Sequence, residues 1–376
     1  MKNKIILLIL FGMLFPSILY GQEKNTEESI ELFPVFVEQV GKYGYIDNTG
    51  RIVIKPEFSW AGEFSDGLAH VIIRKDGTSH YYYIDKTGKI VIDCDIKDTH
   101  TFDFVEGMAI IETSYIENNK LDYKYGFMDK KGEIVIKPQF ARVSNFSEGL
   151  ARVSTSTLRS EFKHIYIDKN GNKVIELKRF QQGYDFSEGL ACIQIEGEGG
   201  IYRHYGYIDK KGETVIEPQF VHGSSFSEGL ASVCPGPPWK YGYIDKSGET
   251  LIEPQFDRAW PFSEGLAMIE MNGKYGYIDK SGRIVIEPQF VSPGGPDIVL
   301  GYPCRFSNSR AAVAIEKDGS IKWGYIDKTG KIVIEPGFDN AFPFSGGLAK
   351  VTFYEKWHGY IDKAGKVVWE TSFKKY

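Results

Sequence analysis

The chain has 376 residues, of which 14% are aromatic and 41 are glycine, enough for a large hydrophobic core. Its formal net charge of −5 argues against a protein class with a strongly basic surface for nucleic acid or anionic membranes. The cysteines, Cys94, Cys192, Cys234 and Cys304, form no CxxC pair and no metal-type spacing. We therefore expect buried, apolar cysteines. Cys192 and Cys234 lie two positions apart on equivalent strands of neighbouring repeats, so they are the pair to test for a disulfide.

The first residues have the pattern of a secretory signal peptide. Two lysines precede an apolar run at 5–15, and Gly21 offers a small residue for cleavage before Gln22. The apolar run is short for a membrane span of about 20 residues, which favours cleavage over retention as an anchor. We predict a signal peptide at 1–21 and a polar leader at 22–31. The mature protein is then exported to the periplasm, the outer cell surface or the extracellular medium, with no transmembrane segment.

The rest of the chain, 32–376, repeats one sequence pattern nine times. Its fullest copy is KYGYIDKSGRIVIEPQF at 274–290, and the phrase FSEGLA precedes most copies. The Asp that ends the YID triplet recurs at intervals of 34 to 48 residues, and a Gly follows it by three positions in every copy. A period in this range indicates a repeat architecture in which neighbouring units share a core.

Each copy predicts three short antiparallel strands. The first follows GLA, the second is KYGYI, and the third is IVIEP or a variant. The Asp and Gly after the second strand suit a type I turn closed by a bulge, and the Pro ends the third strand because it has no N–H. The Gly in YGY predicts a close approach by another backbone or ring. The three successive apolar residues of IVI predict a third strand covered on both faces.

Two phenylalanines recur six residues apart in most copies, one in PQF and one in FSEG. Examples are Phe58 with Phe64 and Phe256 with Phe262. A ring of this size buries about 150–250 Å². We therefore expect both rings to fill the core beneath the loop that joins them.

The repeat region starts and stops on whole three-strand units. The first copy lacks FSEGLA and begins with a strand-like segment at 35–37, and the last copy finishes on its third strand at 366–369. No strand exchange between the termini is then needed to complete a unit. We predict an all-β tandem array of about nine three-stranded antiparallel repeats in an open, solenoid-like superhelix. A closed ring resembling a β-propeller is the alternative.

Length varies mainly between the first and second strands of each copy, apart from a Gly- and Pro-rich insertion at 292–303. Variable turns on a regular scaffold are the usual place for recognition, although neutral drift of exposed turns explains the variation equally well. Trp239, Tyr123 and Tyr202 lie in or beside these turns and are the candidate binding residues. The expected partner is an unidentified protein. The alternative is a carbohydrate or envelope polymer held by turn aromatics such as Trp239.

The sequence carries no recognisable catalytic or metal-binding motif. The seven histidines share no metal-ligand spacing, and no nucleophile elbow, phosphate loop or EF-hand pattern occurs. The repeated Asp of YID lacks the further carboxylates of a calcium site, so a turn explains it better. We expect a protein that is not an enzyme, with no catalytic residues, no metal, no cofactor and no nucleic-acid partner.

These phrases together resemble the WG-containing repeat family of bacterial proteins. The aromatic–Gly pair that names the family is Trp323-Gly324 in one copy. In other copies it is a Tyr-Gly pair that begins at Tyr43, Tyr125, Tyr205, Tyr241 or Tyr275. The resemblance covers about residues 32–373, and copies two, four and seven depart from it at 92–94, 176–178 and 305–311. It implies a bacterial protein built from β-repeats, and the family pattern supplies no catalytic residues.

Overall fold

The computed structural model describes residues 30–94, 99–117, 120–155, 164–177, 181–196, 203–291, 304–317, 319–353 and 357–372. The chain divides into two units, Met1–Ile30 and Glu31–Tyr376, and the strands reported below all belong to the second unit. Within the described ranges, no helix is long and apolar enough to cross a membrane. The predicted signal peptide at 1–21 lies outside them.

The described residues form 34 strands in nine antiparallel sheets, which we call blades 1 to 9 in chain order. Blade 1 contains β1 (Phe33–Val37), β2 (Lys42–Ile46) and β3 (Ile52–Phe58); blade 2 contains β4 (Trp60–Ala61), β5 (Ala69–Lys75), β6 (Thr78–Ile84) and β7 (Ile90–Asp93); blade 3 contains β8 (Thr99–Val105), β9 (Met108–Glu117), β10 (Lys120–Asp129) and β11 (Ile134–Phe140). Blade 4 contains β12 (Arg142–Val143), β13 (Ala151–Ser154), β14 (His164–Ile167) and β15 (Lys173–Glu176); blade 5 contains β16 (Gln181–Ser187), β17 (Leu190–Glu196), β18 (Arg203–Asp209) and β19 (Thr214–Phe220); blade 6 contains β20 (His222–Gly223), β21 (Ala231–Cys234), β22 (Tyr241–Ile244) and β23 (Thr250–Phe256). Blade 7 contains β24 (Arg258–Ala259), β25 (Leu266–Met271), β26 (Lys274–Asp279) and β27 (Ile284–Phe290); blade 8 contains β28 (Ala311–Lys317), β29 (Ser320–Ile326) and β30 (Ile332–Phe338); blade 9 contains β31 (Asn340–Ala341), β32 (Leu348–Phe353), β33 (Trp357–Asp362) and β34 (Val367–Ser372).

Seven blades have four strands, which we name a, b, c and d in chain order, and blades 1 and 8 show only b, c and d among the described residues. The predicted three-stranded unit is therefore wrong for those seven blades. After PQF, the chain continues directly into a strand of the next blade. In blade 7, for example, Arg258 and Ala259 follow the PQF of blade 6 and pair with Glu270 and Ile269. Each repeat thus supplies three strands to one blade and strand a to the next.

The Pro of EPQF interrupts the ladder without ending the strand, contrary to the prediction. In blade 6 the pairs Tyr243–Ile252 and Tyr241–Phe256 flank a bulge of β23 that contains Pro254. The Gly of YGY faces this bulge. A Cβ on Gly242 would lie 2.3 Å from the Ile252 carbonyl oxygen, so the predicted close approach of another backbone is confirmed.

The blades form a closed ring, so the predicted open array is wrong and the closed alternative is correct. Phe33 of blade 1 packs on Tyr360 of blade 9 with ring centroids 5.4 Å apart. The hydroxyl of Thr371 donates to the carbonyl of Phe36 at 3.0 Å. Val35 and Leu348 belong to the same buried cluster as Phe33 and Tyr360. The first copy lacks FSEGLA, but Phe33 supplies the ring that FSEG supplies elsewhere.

The Tyr of YID is the main contact between successive blades. In blade 6, Tyr243 is fully buried, packs 5.0 Å from Phe262 of blade 7, and donates its hydroxyl to the Trp260 carbonyl at 2.8 Å. Equivalent ring pairs occur at all nine junctions, with centroid separations of 4.8 to 5.4 Å. Phe256 and Phe262 are each 1% exposed, which confirms the predicted core role of the two phenylalanines.

The predicted Asp–Gly turn is confirmed, and its Gly has a second role. Asp279 accepts backbone N–H groups from Ser281 at 3.0 Å and Arg283 at 3.2 Å, and Gly282 has a φ of +82°. A Cβ on Gly282 would lie 3.0 Å from Cγ2 of Ile252 in the preceding blade. The turn therefore needs Gly both for its backbone conformation and for the contact between blades.

The predicted burial of the whole IVI segment is wrong. Ile54 is 4% exposed, whereas Ile52 and Val53 are 41% and 39% exposed. Strand d lies at one edge of each sheet, so its first two apolar residues have neighbours on fewer sides than a central strand. Ile54 is buried because Gly88 of the next blade packs against it.

The four cysteines are buried and unbonded, so their predicted apolar role is confirmed and the candidate pair of Cys192 and Cys234 forms no disulfide here. The Cys192 thiol lies 3.7 Å from the carbonyl of Gly223 in the next blade. Burial raises the pKa of the Cys192 thiol to about 12, which makes it a poor nucleophile at neutral pH.

Candidate functional site

The ring has two different faces because every blade has the same antiparallel order. The a–b turns, which contain FSEG, and the c–d turns, which contain YIDKxG, lie at one end of the strands and form what we call the fixed face. The b–c turns lie at the other end and form the variable face. The variable turns were predicted to lie together along one edge, and they lie on one face of the ring.

On the fixed face, the repeated acids are used to join the blades. Glu188 of blade 5 accepts the backbone N–H of Gly229 at 2.9 Å and pairs with Lys246 at 3.1 Å, both in blade 6. Burial raises the pKa of Glu188, but hydrogen bonds from Lys246 and Gly229 outweigh it and leave the pKa below its ordinary value. Equivalent ion pairs join Lys130 to Asp66, Lys169 to Glu106, Lys210 to Glu148, Lys280 to Glu228 and Lys328 to Glu264. These carboxylates stabilise the ring.

Trp239 is presented on the variable face by a short, ordered turn of blade 6. Its side chain is 54% exposed, and its φ of +64° is unusual for a large aromatic residue. Its N–H donates to the Gly236 carbonyl at 2.7 Å. The next residue, Lys240, pairs with Asp257, whose carboxylate also accepts the Asn272 N–H at 2.7 Å. The turn therefore holds an exposed indole in a defined position.

Tyr123 lies on a long hairpin of the variable face, formed by β9 and β10 of blade 3. Its side chain is 37% exposed, and its N–H donates to Asp122 at 2.9 Å. The other carboxylate oxygen of Asp122 accepts the Tyr115 hydroxyl at 2.8 Å. These two bonds lower the pKa of Asp122 and hold this part of the hairpin in place.

The structure does not bring the three predicted binding residues into one cluster. Tyr123 and Trp239 share the variable face but belong to blades 3 and 6, which are not neighbours. Tyr202 lies outside the described residues. The two described aromatics are therefore separate exposed positions on the variable face.

No group of three or more His, Cys, Asp and Glu side chains among the described residues is placed to hold a metal ion. His164 lies on β14 and contacts strand a of the next blade. Burial lowers its pKa to about 4, with further lowering from Arg152 and Arg142. Its Nδ1 accepts the backbone N–H of Gly183 at 3.4 Å. Burial and two neighbouring cations thus keep His164 neutral at physiological pH.

A cavity of about 280 Å³ at the ring closure was not predicted from the sequence. It lies between blades 9, 1 and 2, and we call it the closure cavity. Its lining includes Tyr43, Trp60, Lys350, His358 and Trp369. Two departures from the repeat pattern could have indicated it. The first copy lacks FSEGLA, and the last copy reads WETSF where others read IEPQF.

Two local differences create this cavity. No described strand pairs with β1 on the side opposite β2. Thr371, paired with His358, occupies the position of Phe256, paired with Tyr241 in blade 6. A Thr side chain leaves open the volume that a Phe ring fills elsewhere.

The closure cavity contains charged and polar groups as well as aromatic rings. Burial lowers the pKa of His358, and the nearby Lys350 lowers it further, while Glu38 opposes both effects. The Tyr360 hydroxyl donates to the Pro34 carbonyl at 3.3 Å. Burial, with a contribution from Glu63, raises the pKa of Tyr360 above its ordinary value.

Comparisons with known proteins agree with this architecture. A family model described as WG containing repeat matches residues 43–77, 83–114, 125–155, 166–198, 205–234, 241–275, 275–292 and 323–357. No curated protein sequence matches the chain.

Two solved structures share the fold at very low identity. One is described as a eukaryotic initiation factor; it is 11% identical, has a TM-score of 0.63, and the match covers 92% of this chain and 96% of that one. The other is Porphyromonas gingivalis dipeptidyl peptidase 4; it is 10% identical, has a TM-score of 0.53, and the match covers 82% of this chain and 59% of that one. At these identities the likeness extends to the fold alone.

Proposed function

Because the chain belongs to the WG-containing repeat family and folds into a closed ring of nine blades, we propose that it is an exported, non-enzymatic scaffold that binds another protein through its variable face. The fold itself supports a scaffold or interaction role. Export and the protein partner are the further steps of the proposal.

The observation that carries the proposal is the contrast between the two faces. On the fixed face, the repeated Asp and Glu side chains bond to turns and lysines of the ring itself. On the variable face, Trp239 is held in a defined turn and more than half of its side chain is exposed. Exposed, well-positioned aromatics are frequent anchors of protein interfaces.

The test is capture of a partner from the envelope fraction of the source organism on immobilised chain 22–376. We expect one retained protein, and we expect Trp239→Ala combined with Tyr123→Ala to reduce its retention at least tenfold. Leu251→Ala is the matched control, because Leu251 is 53% exposed but lies on an edge strand d. Equal retention by the double variant would contradict binding through the variable face.

A carbohydrate or envelope polymer is the second candidate ligand, and the exposed indole of Trp239 favours it. An aromatic face with a polar edge suits contact with partly apolar, partly polar ligands. Retention of the wild-type chain on an insoluble glycan and loss of that retention in Trp239→Ala would support this ligand. Absence of retention across a glycan panel would rule it out.

Export rests on the pattern at 1–21 and is tested independently of the ligand. The full chain, expressed in a bacterial host, should appear outside the cytoplasm with Gln22 as its first residue. Peptide mass spectrometry of the fractions measures the mature N-terminus. A cytoplasmic product that still carries 1–21 would contradict this part of the proposal.

A further inference from the structure

We propose that the edge of β1 opposite β2 binds an extended peptide segment of a partner protein, which takes the place of strand a in blade 1. The site is the closure cavity, so the proposal does not depend on the variable face. Among the described residues, β1 pairs only with β2, whereas the corresponding strand of every four-stranded blade pairs on both sides. The missing neighbour is a strand, so the expected ligand is an extended backbone.

Two carbonyl groups of β1, those of Pro34 and Phe36, occupy the positions that recognise strand a in other blades. In blade 7, the corresponding carbonyls accept the backbone N–H groups of Asp257 at 2.9 Å and Trp260 at 3.1 Å. A carbonyl oxygen has two lone pairs and can accept a second hydrogen bond. The edge of β1 therefore keeps the acceptor pattern that pairs with a strand.

In this structure, hydroxyl groups of blade 9 donate hydrogen bonds to these two carbonyls. Tyr360 donates to Pro34 at 3.3 Å, and Thr371 donates to Phe36 at 3.0 Å. At five other junctions, the same Tyr donates to a carbonyl within or just after strand a of the next blade, at 2.7 to 2.8 Å. A bound peptide would supply that carbonyl and allow Tyr360 to form the shorter bond.

The strands a of the other blades indicate which peptide fits. Their second residue is small or β-branched in the five blades where strand a has two residues, namely Ala61, Val143, Gly223, Ala259 and Ala341. The expected ligand has a small residue at this point and free N–H groups two residues before it and one residue after it. The closure cavity, of about 280 Å³, lies beside this edge of β1.

The pattern favours a partner over the protein's own residues. In the other blades, the small residue of strand a lies eight positions before the strand b residue that pairs with the Ile of YGYI, as Ala259 lies before Ala267; the residue eight positions before Phe33 is Asn25, which is neither small nor β-branched. The residues that follow β34 are Phe373, Lys374, Lys375 and Tyr376, and none of them is small. A second copy of β1 is also a poor match, because Pro34 has no N–H to offer in an antiparallel pair. Recognition by strand addition relies on main-chain hydrogen bonds, with pockets that select side chains.

The experiment measures binding of a synthetic peptide to the full chain by fluorescence anisotropy. The probe is a capped, labelled peptide Asp-Arg-Ala-Trp-Pro-Phe-Ser, which copies residues 257–263. We expect saturable binding. N-methylation at the residues that copy Asp257 and Trp260 should weaken binding at least tenfold, because it removes the two donors.

Variants of the full chain localise the site. Thr371→Phe should leave peptide binding unchanged, because Phe256 occupies the equivalent position of blade 6 while strand a of blade 7 pairs beside it. Tyr360→Phe keeps the ring and removes only the hydroxyl, so it should weaken binding by a few-fold. Trp239→Ala should leave peptide binding unchanged, which separates this site from the variable face.

Three results would overturn the proposal. The first is no binding of the probe to the full chain. The second is equal binding to Tyr360→Phe whose thermal melt shows that it is folded, or equal binding of the N-methylated peptide. The third is binding only to a chain shortened after Ser372, which would assign the edge of β1 to the protein's own following residues.

Discussion

The junction between blades 6 and 7 and the closing junction between blades 9 and 1 use the same design with different residues. At the first, Tyr243 packs on Phe262 at 5.0 Å and its hydroxyl donates to a carbonyl of blade 7 at 2.8 Å. At the second, Tyr360 packs on Phe33 at 5.4 Å and its hydroxyl donates to a carbonyl of blade 1 at 3.3 Å. The apolar part of the contact is retained, and the polar part is weaker.

The difference is larger on the fixed face. Between blades 6 and 7, Ser227 donates to a backbone carbonyl at 2.7 Å, and Glu228 pairs with Lys280 at 3.0 Å. At the closing junction, Ser345 donates to the Glu31 side chain at 3.4 Å. The acid position of the a–b turn is Gly346 there, so no equivalent ion pair can form.

The ring closes through shape and apolar packing, with longer hydrogen bonds and without the acid–Lys ion pair that joins each successive pair of blades from 2 to 8. Regions with fewer such contacts open at lower free energy than the rest of a protein. We therefore expect the closing junction to be the place where unfolding of the ring begins.

Replacing Phe33 by Ala should have the largest effect on stability. Loss of a buried Phe costs about 3–5 kcal/mol, and here it also removes the ring that joins the two ends of the repeat region. The free energy of unfolding, measured in urea, should fall by about this amount. Hydrogen exchange should accelerate first in blades 1 and 9.

Phe262→Ala is the matched variant at an interior junction. Its cost should be similar, because Phe262 is also buried, but exchange should accelerate first in blades 6 and 7. If both variants accelerated exchange in the same blades, the closing junction would not be a separate weak point.

Replacing turn glycines by Ala should lower the free energy of unfolding by amounts that differ from one turn to another. Gly149 has a φ of +86° and open space at its Cβ, so Gly149→Ala should cost about 1–2 kcal/mol for its backbone alone. Gly282→Ala adds a contact with the Ile252 side chain at 3.0 Å, and Gly50→Ala adds a contact with the Val368 carbonyl oxygen at 2.8 Å. Because a backbone atom cannot rotate away, Gly50→Ala should cost most, about 2–4 kcal/mol. Urea midpoints measure the order, and equal costs would show that the contacts between blades add nothing.

The local structure of each repeat could be predicted from the sequence because it depends on neighbouring residues. The Asp–Gly turn needs only a carboxylate acceptor and a positive φ, and both are visible in the pattern. The joint occurrence of the Gly of YGY and the Pro of EPQF could also have been recognised in the sequence. Blades 2 and 4 have Tyr82 and Ile165 in place of the Gly of YGY, and their strands d, β7 and β15, lack the Pro. In these two blades the ladder has no bulge at this point and a larger side chain fits. Blade 9 keeps Gly359 although β34 lacks the Pro, because the Trp369 carbonyl approaches it closely.

Ring closure could not be predicted from the same pattern because it depends on the angle between successive sheets. That angle is set by how buried rings such as Tyr243 and Phe262 pack, and many angles satisfy one strand pattern. The exposure of Ile52 and Val53 has a related cause. An apolar run indicates burial on both faces only if strand d has neighbours on both sides. Within the candidate site, the exposure of Trp239 could be predicted because Trp239 lies in a turn of variable length. The closure cavity could not, because it depends on which strand of blade 1 has no described neighbour.

Filling the closure cavity should stabilise the ring by a smaller amount. Thr371→Phe restores the ring found at the equivalent position of blade 6, and cavity-filling changes typically add about 0.5–2 kcal/mol. The gain is reduced by loss of the hydrogen bond to Phe36. The converse change, Phe256→Thr, should destabilise blade 6 by about 3 kcal/mol. A lower urea midpoint for Thr371→Phe than for the wild type would show that the cavity does not accept a ring.

The smallest effect concerns the acids of the fixed face and depends on pH. The pKa values of Asp66, Glu106, Glu148 and Glu188 lie below their ordinary values, because hydrogen bonds from lysines and turn N–H groups outweigh burial. A carboxyl whose folded pKa is lowered stabilises the protein above its unfolded pKa of about 4, and this stabilisation is lost as the pH falls through the folded value. The free energy of unfolding should therefore decrease from about pH 5 to about pH 3.

A single acid should contribute little, because exposed ion pairs are worth about 0–1 kcal/mol. Glu188→Gln should lower stability at pH 7 by less than about 1 kcal/mol and reduce the acid-dependent loss by its own share. Glu213→Gln removes an exposed acid of a c–d turn and should do neither. The loss below about pH 4 should appear first between blades 2 and 8, where the acids join neighbours. The closing junction has Gly346 at the acid position, so hydrogen exchange there should change least with pH. Acid-induced opening that began at blades 9 and 1 would contradict this division.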